Sequence, residues 1–372
     1  MAKTRTERGR QGGHALLVVV LAATAAGLAG MLDRFDATAE RARRTRETGA
    51  TLQLAKTALL GYAVAYRDVH PTENFGHLPC PDAAGQGVEQ TPCGKSGAVA
   101  IGLLPYKTLG LPELRDADGN LLWYAVSGSF KTNPKSFPFN WDTQGQLTVR
   151  SAEGSVLAAP DDSTGGAAAV VIAPGPALSG QRRTSSSASD AGNYVERDNA
   201  AFVDGVISDG NGMPVANDRV VPIGSREIFD AVVKRADFAS FMSEGIAAVR
   251  SKLGTQRNTA GNALPANPFG RQTSSYSFYE GWKDQFRYVR CAKAGCYLDG
   301  AGDRHNAVLL FGGRARSGAP RPSSQRSPAD YFEAALAWIQ GSTSEPCAAE
   351  AALFDNSSAV ARAADMVLCL AP

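Results

Sequence analysis

The stretch MAKTRTERGRQGG, residues 1–13, runs directly into HALLVVVLAATAAGLAGML, residues 14–32, and this junction sets how the rest of the chain is organised. Four Lys and Arg side chains precede Gly13, and no charged residue follows until Asp33. An uncharged run of 19 residues can cross a bilayer as one helix, with its basic side in the cytoplasm. We therefore expect a single-pass inner-membrane protein with a cytoplasmic N-terminus and a periplasmic or extracellular body.

Three interpretations of residues 14–32 are open. A secretory signal peptide would be cleaved after small residues such as Ala23-Thr24-Ala25, although the apolar run continues to Leu32. A plain signal anchor would retain Met1. The third interpretation rests on Gly13, which lies between the basic leader and the apolar run, before the membrane segment and not after it.

The motif GGHALLVVVL, residues 12–21, resembles the N-terminus of type IV pilin-like proteins, a family that includes the pseudopilins of type II secretion. The resemblance implies that a prepilin peptidase cleaves after Gly13 and that His14 becomes the first, N-methylated residue. Most members carry a glutamate where this chain has Val18, and that glutamate matches the terminal amine of a neighbouring subunit during assembly. Its absence favours a minor subunit at the tip or start of a fibre, or a relative that does not assemble.

Residues 33–68 continue as a polar, amphipathic segment, and no proline interrupts the chain before Pro71. One helix from His14 to about Arg67 would be roughly 80 Å long at about 1.5 Å per residue. Its first third would lie in lipid and its last third on a globular domain, with Gly49 as the candidate break. The face that would pack on this domain follows i, i+3, i+4, i+7 spacing and consists of Leu52, Lys56, Leu59, Leu60, Ala63 and Val64.

The charge balance argues against nucleic acid as a partner. The chain has 38 Lys and Arg, 36 Asp and Glu, and a net charge of +2, which gives no electrostatic basis for binding a polyanion. The densest basic stretch, between Arg41 and Arg46, is flanked by Glu40 and Glu47. We interpret it as a solvated helix face near lipid headgroups.

Six cysteines indicate an oxidising compartment. They form three local pairs, which predict the disulfides Cys80–Cys93, Cys291–Cys296 and Cys347–Cys369, although six cysteines allow fifteen pairings. A zinc site built from His70, His77, Cys80 and Cys93 is an alternative for the first pair, but its spacing matches no standard zinc pattern.

Two segments of the body are similar to each other. VVIAPGPALSGQRRTSS, residues 170–186, aligns with VLLFGGRARSGAPRPSS, residues 308–324, which pairs Arg183 with Arg321. Further on, a one-residue shift pairs Tyr194 with Tyr331. Upstream, GNLLWYAV from Gly119 resembles KDQFRYV from Lys283. The same order of elements in both segments favours an internal repeat over chance similarity in Gly- and Ser-rich sequence.

The repeat predicts an α+β fold, in which a long N-terminal helix packs on a small antiparallel sheet and a second, divergent helix-plus-sheet unit follows. We expect a helix over Ser225–Leu253 with Ser225 as N-cap, and shorter helices over Tyr331–Ile339 and Ala359–Leu368. Strands are predicted at Leu121–Ser127, Gln146–Arg150, Ala167–Ala173, Phe286–Arg290, Cys296–Leu298 and Ala307–Phe311.

The resemblance to pilin-like proteins extends loosely into the first unit. GHLPCPDAAGQG from Gly76 is similar to the heads of prepilin-type proteins, and DADGNLLWYAVS from Asp116 is similar to a pseudopilin turn that leads into a Tyr-bearing strand. In this chain the tryptophan of that turn has moved to Trp123. The resemblance covers the N-terminal third of the chain best.

Catalytic and cofactor motifs are missing from the sequence. G-x-S-x-G, G-x-x-x-x-G-K-[ST] and H-E-x-x-H do not occur. Asp303-Arg304-His305 is a polar loop before a strand and is interpreted as structural. Asp116, Asp118 and Asn120 are weak calcium candidates, with a type I turn before a strand as the favoured interpretation. No metal or other cofactor is predicted.

We expect a non-enzymatic, membrane-anchored minor pilin-like or pseudopilin-like subunit. Its partners would be other pilin-like subunits, a prepilin peptidase and the lipid bilayer. The alternative is a signal-anchored extracytoplasmic enzyme or ligand-binding module. The predicted organisation is a leader (1–13), a transmembrane helix (14–32), its amphipathic continuation (33–68) and two head units (69–200 and 201–372).

Overall fold

The architecture comes from a computed structural model of the chain. It describes residues 12–184, 189–198, 201–254, 264–290, 295–315, 319–322, 327–332, 338, 346–347 and 365–370, with side chains from Thr38 onward except at 197–198.

The N-terminal element α1 is a single helix, Gly12–Val69, of 58 residues. It runs through Gly49 without a break. Its bounds are close to those predicted from the sequence, His14 to about Arg67. One face of its last third is buried, at Leu52, Ala55, Leu59 and Ala63, because the 3- and 4-residue spacing places these side chains on one side of the helix. This face packs against strands β5 and β10 and helix α2, described below.

Among the residues whose side chains the structure describes, no helix is both long and apolar enough to cross a bilayer. The predicted span, residues 14–32, precedes the first described side chain and stays a prediction.

Four antiparallel strands form the first sheet in the order β1-β2-β5-β10. They are β1 Ala100–Leu103, β2 Trp123–Val126, β5 Ala167–Ala173 and β10 Arg219–Gly224. A smaller sheet has the order β4-β3-β7-β6 and consists of β3 Thr148–Ser151, β4 Val156–Ala158, β6 Arg197–Asp198 and β7 Ala201–Asp204. A hairpin follows, with strands β8 Ile207–Ser208 and β9 Pro214–Ala216.

The second half begins with the helices α2 Ser225–Val232, α3 Phe238–Gly254 and α4 Ser274–Trp282. The strands that follow are β11 Phe286–Arg290, β12 Tyr297–Leu298, β13 Arg304–His305, β14 Ala307–Phe311 and β15 Met366–Cys369, and the short helix α5 is Pro328–Tyr331. Strands β11-β14-β15 make a second antiparallel sheet, and β12 pairs with β13. The fold is therefore α+β with several small sheets, and the predicted strands are confirmed.

The first sheet, β1-β2-β5-β10, and the second antiparallel sheet, β11-β14-β15, each turn one face toward the same core. These two are called the first and the second sheet from here on. Tyr124 and Val171 of the first sheet lie in one continuous apolar cluster with Tyr288 and Leu309 of the second sheet and with the buried face of α1. The opposite faces have separate cores, one beneath Trp123 and one beneath Val308. Strand alternation produces this arrangement, since neighbouring residues point to opposite faces.

The strand register follows the sequence alignment of the two segments. In the first sheet Tyr124 lies opposite Val171. In the second sheet Tyr288 lies opposite Leu309, and Leu309 is the residue that aligns with Val171. Aligned residues therefore face aligned partners.

An arginine clamp closes the first sheet. The guanidinium of Arg183 donates from Nε to the carbonyl of Asn193 (2.9 Å) and from Nη1 to the carbonyl of Gly175 (2.5 Å). It also lies 4.8 Å from the ring centroid of Tyr194, within the range of a cation–π contact.

The aligned arginine makes the same three contacts in the second sheet. Arg321 donates from Nε to the carbonyl of Asp330 (2.8 Å) and from Nη2 to the carbonyl of Gly313 (2.8 Å). Its guanidinium lies 4.6 Å from the ring centroid of Tyr331. Gly313 aligns with Gly175, and Asp330 and Asn193 each precede the clamped tyrosine.

The second clamp also joins the two halves of the chain. Arg321 Nη1 lies 2.5 Å from Asp142 Oδ2, and both side chains are at most 5% exposed. The backbone N–H of Arg321 donates to the other oxygen of Asp142 (3.0 Å), and Gln285 donates to Oδ2 (2.7 Å). Each oxygen of this buried carboxylate thus receives a donor.

The predicted helix Ser225–Leu253 is wrong as a single element. It is two helices, since α2 ends at Val232 and α3 begins at Phe238. Between them, Arg235 donates to Asp68 of α1 (2.7 Å). Ser225 is the first helical residue and not the N-cap, a position held by Gly224.

One further expectation needs correction. Met366–Cys369 is a strand, not the end of a helix, because it pairs with β14 and Cys369 is bonded to Cys347. Strands β7 and β10, which follow the predicted boundary between residues 200 and 201, pair with β3 and β5, which precede it. The predicted helix at Tyr331–Ile339 lies largely outside the described residues.

We expect Arg321→Met to lower the free energy of unfolding by about 3–5 kcal/mol, because it buries the Asp142 carboxylate without its cationic partner. Chemical denaturation measures this difference. Arg183→Met, at the half-buried clamp, is the matched control and should cost less. Adding Asp142→Asn to Arg321→Met should restore part of the lost unfolding free energy. If Arg321→Met and Arg183→Met cost the same, the role of the buried Asp142–Arg321 pair is contradicted.

Candidate functional site

The part of α1 that precedes the head is exposed to solvent. Between Thr38 and Glu47 every side chain is exposed except the half-buried Ala42, and burial begins at Thr48. The helix therefore projects from the head, and the contacts at Thr48 fix the point at which it leaves. We call Arg44, Thr48 and the turn Asp116–Asn120 the helix collar.

The turn of the collar is built around one carboxylate. Asp116 Oδ1 accepts hydrogen bonds from the backbone N–H groups of Asp118 (3.0 Å) and Asn120 (2.8 Å). The chain closes with Asp116 N–H donating to the carbonyl of Asn120 (2.9 Å), and Gly119 takes a φ of 82° that favours glycine. This is a type I turn with a glycine bulge, which suits a tight hairpin.

The same turn occurs twice more. Asp209 accepts from the N–H groups of Asn211 (2.9 Å) and Met213 (2.8 Å). Asp299 accepts from those of Ala301 (3.0 Å) and Asp303 (2.8 Å). The shared pattern is Asp followed three residues later by Gly, which the sequence displays at all three places.

The collar joins this turn to α1 by two contacts. Thr48 Oγ1 accepts a hydrogen bond from the backbone N–H of Ala117 (3.1 Å). Arg44 Nη1 donates to Asp118 Oδ1 (2.8 Å). The first contact is largely shielded from water and the second is open to solvent, so the threonine contributes more to stability than the ion pair does.

The weak calcium candidates therefore have other roles. Asp116 Oδ2 accepts from Gly175 N–H (3.0 Å) and from the side chain of Asn120 (3.1 Å), and Asp118 pairs with Arg44. Within the described ranges, no group of three His, Cys, Asp or Glu side chains is placed to hold a metal ion. The geometry is that of the turn interpretation.

The basic stretch of α1 is an internally paired helix face. Arg43 bridges Glu40 (2.8 Å) and Glu47 (3.1 Å). Hydrogen bonds from Arg43 and Arg44 lower the pKa of Glu40 to about 2. These pairs are exposed, so they orient the side chains without adding much stability.

The zinc alternative is wrong, because Cys80 and Cys93 form a disulfide and cannot ligate a metal. His77 lies in the core, where its ring stacks on Phe139 with centroids 4.0 Å apart. Burial lowers the pKa of His77 to about 3, so the imidazole is neutral. His70 contacts the carbonyl of Tyr66 through Nδ1 (2.9 Å).

Two of the three predicted disulfides are confirmed. The bonds Cys80–Cys93 and Cys347–Cys369 are present. Cys296 is also disulfide-bonded, but Cys291 lies outside the described residues, so that pairing stays a prediction. Gly13 and His14 fall within the helical backbone of α1, and the side chain of His14 also lies outside the described part.

The buried Asp218 and the half-buried Glu196, beside the first clamp, have no signature in the sequence. Asp218 is 1% exposed and accepts a hydrogen bond from the backbone N–H of Glu196 (2.9 Å). Burial, and then the neighbouring Glu196 carboxylate, raise the pKa of Asp218 to about 9, so its carboxyl group is protonated at neutral pH. The two residues are 22 positions apart and belong to no local motif.

Lys131 is a second residue that the sequence did not single out. Its side chain is buried, and Nζ donates to the carbonyls of Cys93 (2.7 Å), Lys95 (2.6 Å) and Ala98 (2.9 Å). The ammonium group thus organises residues 93–98, the segment that follows the Cys80–Cys93 disulfide. A lysine in a turn-rich segment carries no sequence signal for this role.

No protein-family model, no curated protein and no solved structure matches this chain. Function is therefore inferred from the leader, from the projecting helix and from the collar that holds it.

We expect Thr48→Val to cost about 1–3 kcal/mol of unfolding free energy, because the Ala117 N–H loses its acceptor inside the collar. Thr57→Val is the matched control. Thr57 lies on the exposed face of the same helix and donates only to Gln53 (2.9 Å), so its loss should stay within about 0.5 kcal/mol. Thermal or denaturant unfolding of both variants measures the difference, and equal effects would argue against the collar.

Proposed function

We propose that this chain is a membrane-anchored minor pilin-like or pseudopilin-like subunit of a type IV pilus or type II secretion-type machine. The observation that carries the proposal is α1. It is one helix that lies on an antiparallel sheet at its C-terminal end, projects from the head before Thr48, and begins at the junction of a basic leader with an apolar run.

The subunit would act by packing its apolar helix against those of other subunits. Rows of small residues, Ala22, Ala26 and Gly30 on one side and Ala25 and Ala29 on another, allow helices to approach closely in lipid. The collar would then set the direction in which the head leaves the bundle.

The head would be a pair of related units. We infer that the segments holding the Arg183 and Arg321 clamps are divergent copies of one unit, which is supported by their equivalent strand register and clamp contacts. Such a head is larger than one unit, and α1 projects from it.

Val18 supports a position at the end of a fibre. A pilin-like subunit without an acidic residue at this point leaves the amine of a neighbour unpaired in an apolar environment, which is costly. At an end, this cost is avoided on the side where no further subunit is added, and an enlarged head meets no steric limit.

We expect the native chain to begin at His14. Gly13→Leu should block cleavage and leave residues 1–13 attached, because the leader peptidase requires a small residue there, whereas Gly12→Ala should still be processed. Intact mass of the membrane-extracted protein decides between these outcomes. A native protein that keeps Met1 would support a plain signal anchor and end this proposal.

We expect low copy number, an end position and no homopolymer on overexpression. Val18→Glu supplies the missing carboxylate and should increase incorporation along the shaft, whereas Val19→Glu is the matched control for a charge one position away. Immunogold labelling of fibres measures the distribution. Abundant labelling of the unmodified protein along the shaft would contradict an end position.

A further inference from the structure

His305 lies between the C-terminal strand and the β12–β13 hairpin. The residue is 8% exposed. Ring nitrogen Nδ1 is 2.8 Å from the carbonyl oxygen of Leu370, and Nε2 is 3.1 Å from Asp299 Oδ2. Both ring nitrogens therefore face oxygen acceptors.

A neutral imidazole cannot satisfy this arrangement. It carries one N–H, whereas an imidazolium carries two. The carbonyl of Leu370 has no proton to donate, and an ionised Asp299 accepts only. We propose that His305 is held as an imidazolium and acts as a proton-dependent clasp between strand β15 and the β12–β13 hairpin.

The charged groups around the ring are consistent with a cation. Asp299 and Asp303 lie in the turn that precedes His305. The hydrogen bond from His305, followed by those from the backbone of Asp303 and Ala301, holds the pKa of Asp299 below its usual range. Tyr297 is the titratable residue directly opposite on β12.

Two arginines lie near the clasp, and each has a carbonyl partner. Arg304 precedes His305 in the chain, and Arg250 contacts Cys369, the residue before Leu370. Arg304 donates from Nη1 to the carbonyl of Gly295 (2.9 Å). Arg250 of α3 donates from Nε to the carbonyl of Cys369 (2.9 Å). Their charges are directed toward these carbonyls.

The clasp acts on a strand that depends on few contacts. Within the described part of the second sheet, β15 lies at the edge and pairs with β14 alone. Leu370 N–H donates to the carbonyl of Ala307 (3.0 Å), and the Cys347–Cys369 disulfide holds the neighbouring residue. Leu368 and Leu370 are buried in the core that both sheets share, so loosening β15 opens that core at its edge.

The direction of the pH effect follows from the proton count. With His305 charged, both hydrogen bonds form, and when the ring loses its proton one of them is lost. The clasp therefore stabilises β15 while the imidazole carries its second proton, and it weakens when rising pH removes that proton. It also weakens when Asp299 is protonated in strong acid.

Asp299→Asn tests the clasp without removing its shape. The amide oxygen of the introduced side chain can still accept from the N–H groups of Ala301 and Asp303. Its amide nitrogen donates to Nε2 of a neutral His305, while Nδ1–H of that ring donates to Leu370. All groups are then satisfied with an uncharged ring, so the pH dependence should disappear. Asp209→Asn is the matched control, because Asp209 builds the same turn on the exposed β8–β9 hairpin.

The measurement is hydrogen exchange of residues 366–370 in the full-length chain between pH 5 and pH 8, corrected for intrinsic exchange. In the native protein and in Asp209→Asn, protection should fall roughly tenfold as pH rises, the equivalent of one hydrogen bond. In Asp299→Asn it should stay level. A level profile in the native protein, or an unchanged slope in Asp299→Asn, would overturn the proposal.

A second measurement reads the protonation state of the ring in the native protein directly. The chain has 4 histidines, so ¹⁵N spectra of the imidazoles at pH 6 can be resolved, with His305→Gln serving only to assign the signal. We expect two protonated ring nitrogens for His305 and a neutral ring for the buried His77. A neutral His305 at pH 6 would sink the proposal on its own.

Discussion

The constraint on which the rest of the structure depends is the burial of two sheets and one helix face around a single apolar core. Tyr124 and Val171 of the first sheet and Tyr288 and Leu309 of the second belong to it, together with Leu52 and Leu59 of α1. Each sheet gives its inner face to this shared core and covers its outer face separately. The inner faces of both sheets are kept from water by this one core, to which α1–α4 also contribute, and hydrophobic burial is the dominant favourable term in folding.

Around that core, each buried charge is matched to a specific partner. Arg321 is neutralised by Asp142, which reaches it across the boundary between the two sheets. Lys131 keeps its ammonium group hydrogen-bonded to three carbonyls. His77 and Asp218 take the other route, in which the group loses its charge, because a buried ionisable group without a suitable partner shifts its pKa toward the neutral form.

One local device recurs where the chain must reverse tightly. The Asp-x-x-Gly turn forms the base of the helix collar at Asp116, the tip of the β8–β9 hairpin at Asp209 and the start of the His305 clasp at Asp299. In each case one oxygen of the Asp carboxylate accepts from two backbone N–H groups. These donors would otherwise be left without an acceptor. The second carboxylate oxygen makes a different tertiary contact in two of these turns: at Asp116 it accepts from the N–H of Gly175, and at Asp299 it faces the ring of His305. The same turn thus serves different tertiary contacts.

Local order could be predicted from the residues alone. Periodicity located α1 and the core strands Ala167–Ala173, Phe286–Arg290 and Ala307–Phe311, because alternation and helical spacing are properties of neighbouring residues. Proximity in the chain predicted two of the disulfides, and the alignment of the two segments paired Arg183 with Arg321. Contacts between distant partners became visible only in the folded chain. Asp142 and Arg321 are 179 residues apart. Arg235, between α2 and α3, donates to Asp68, 167 residues away, and residues 366–369 form a strand that pairs with β14. Such contacts form because burial leaves each polar group in need of a partner, and that need arises only when the chain has folded around its core.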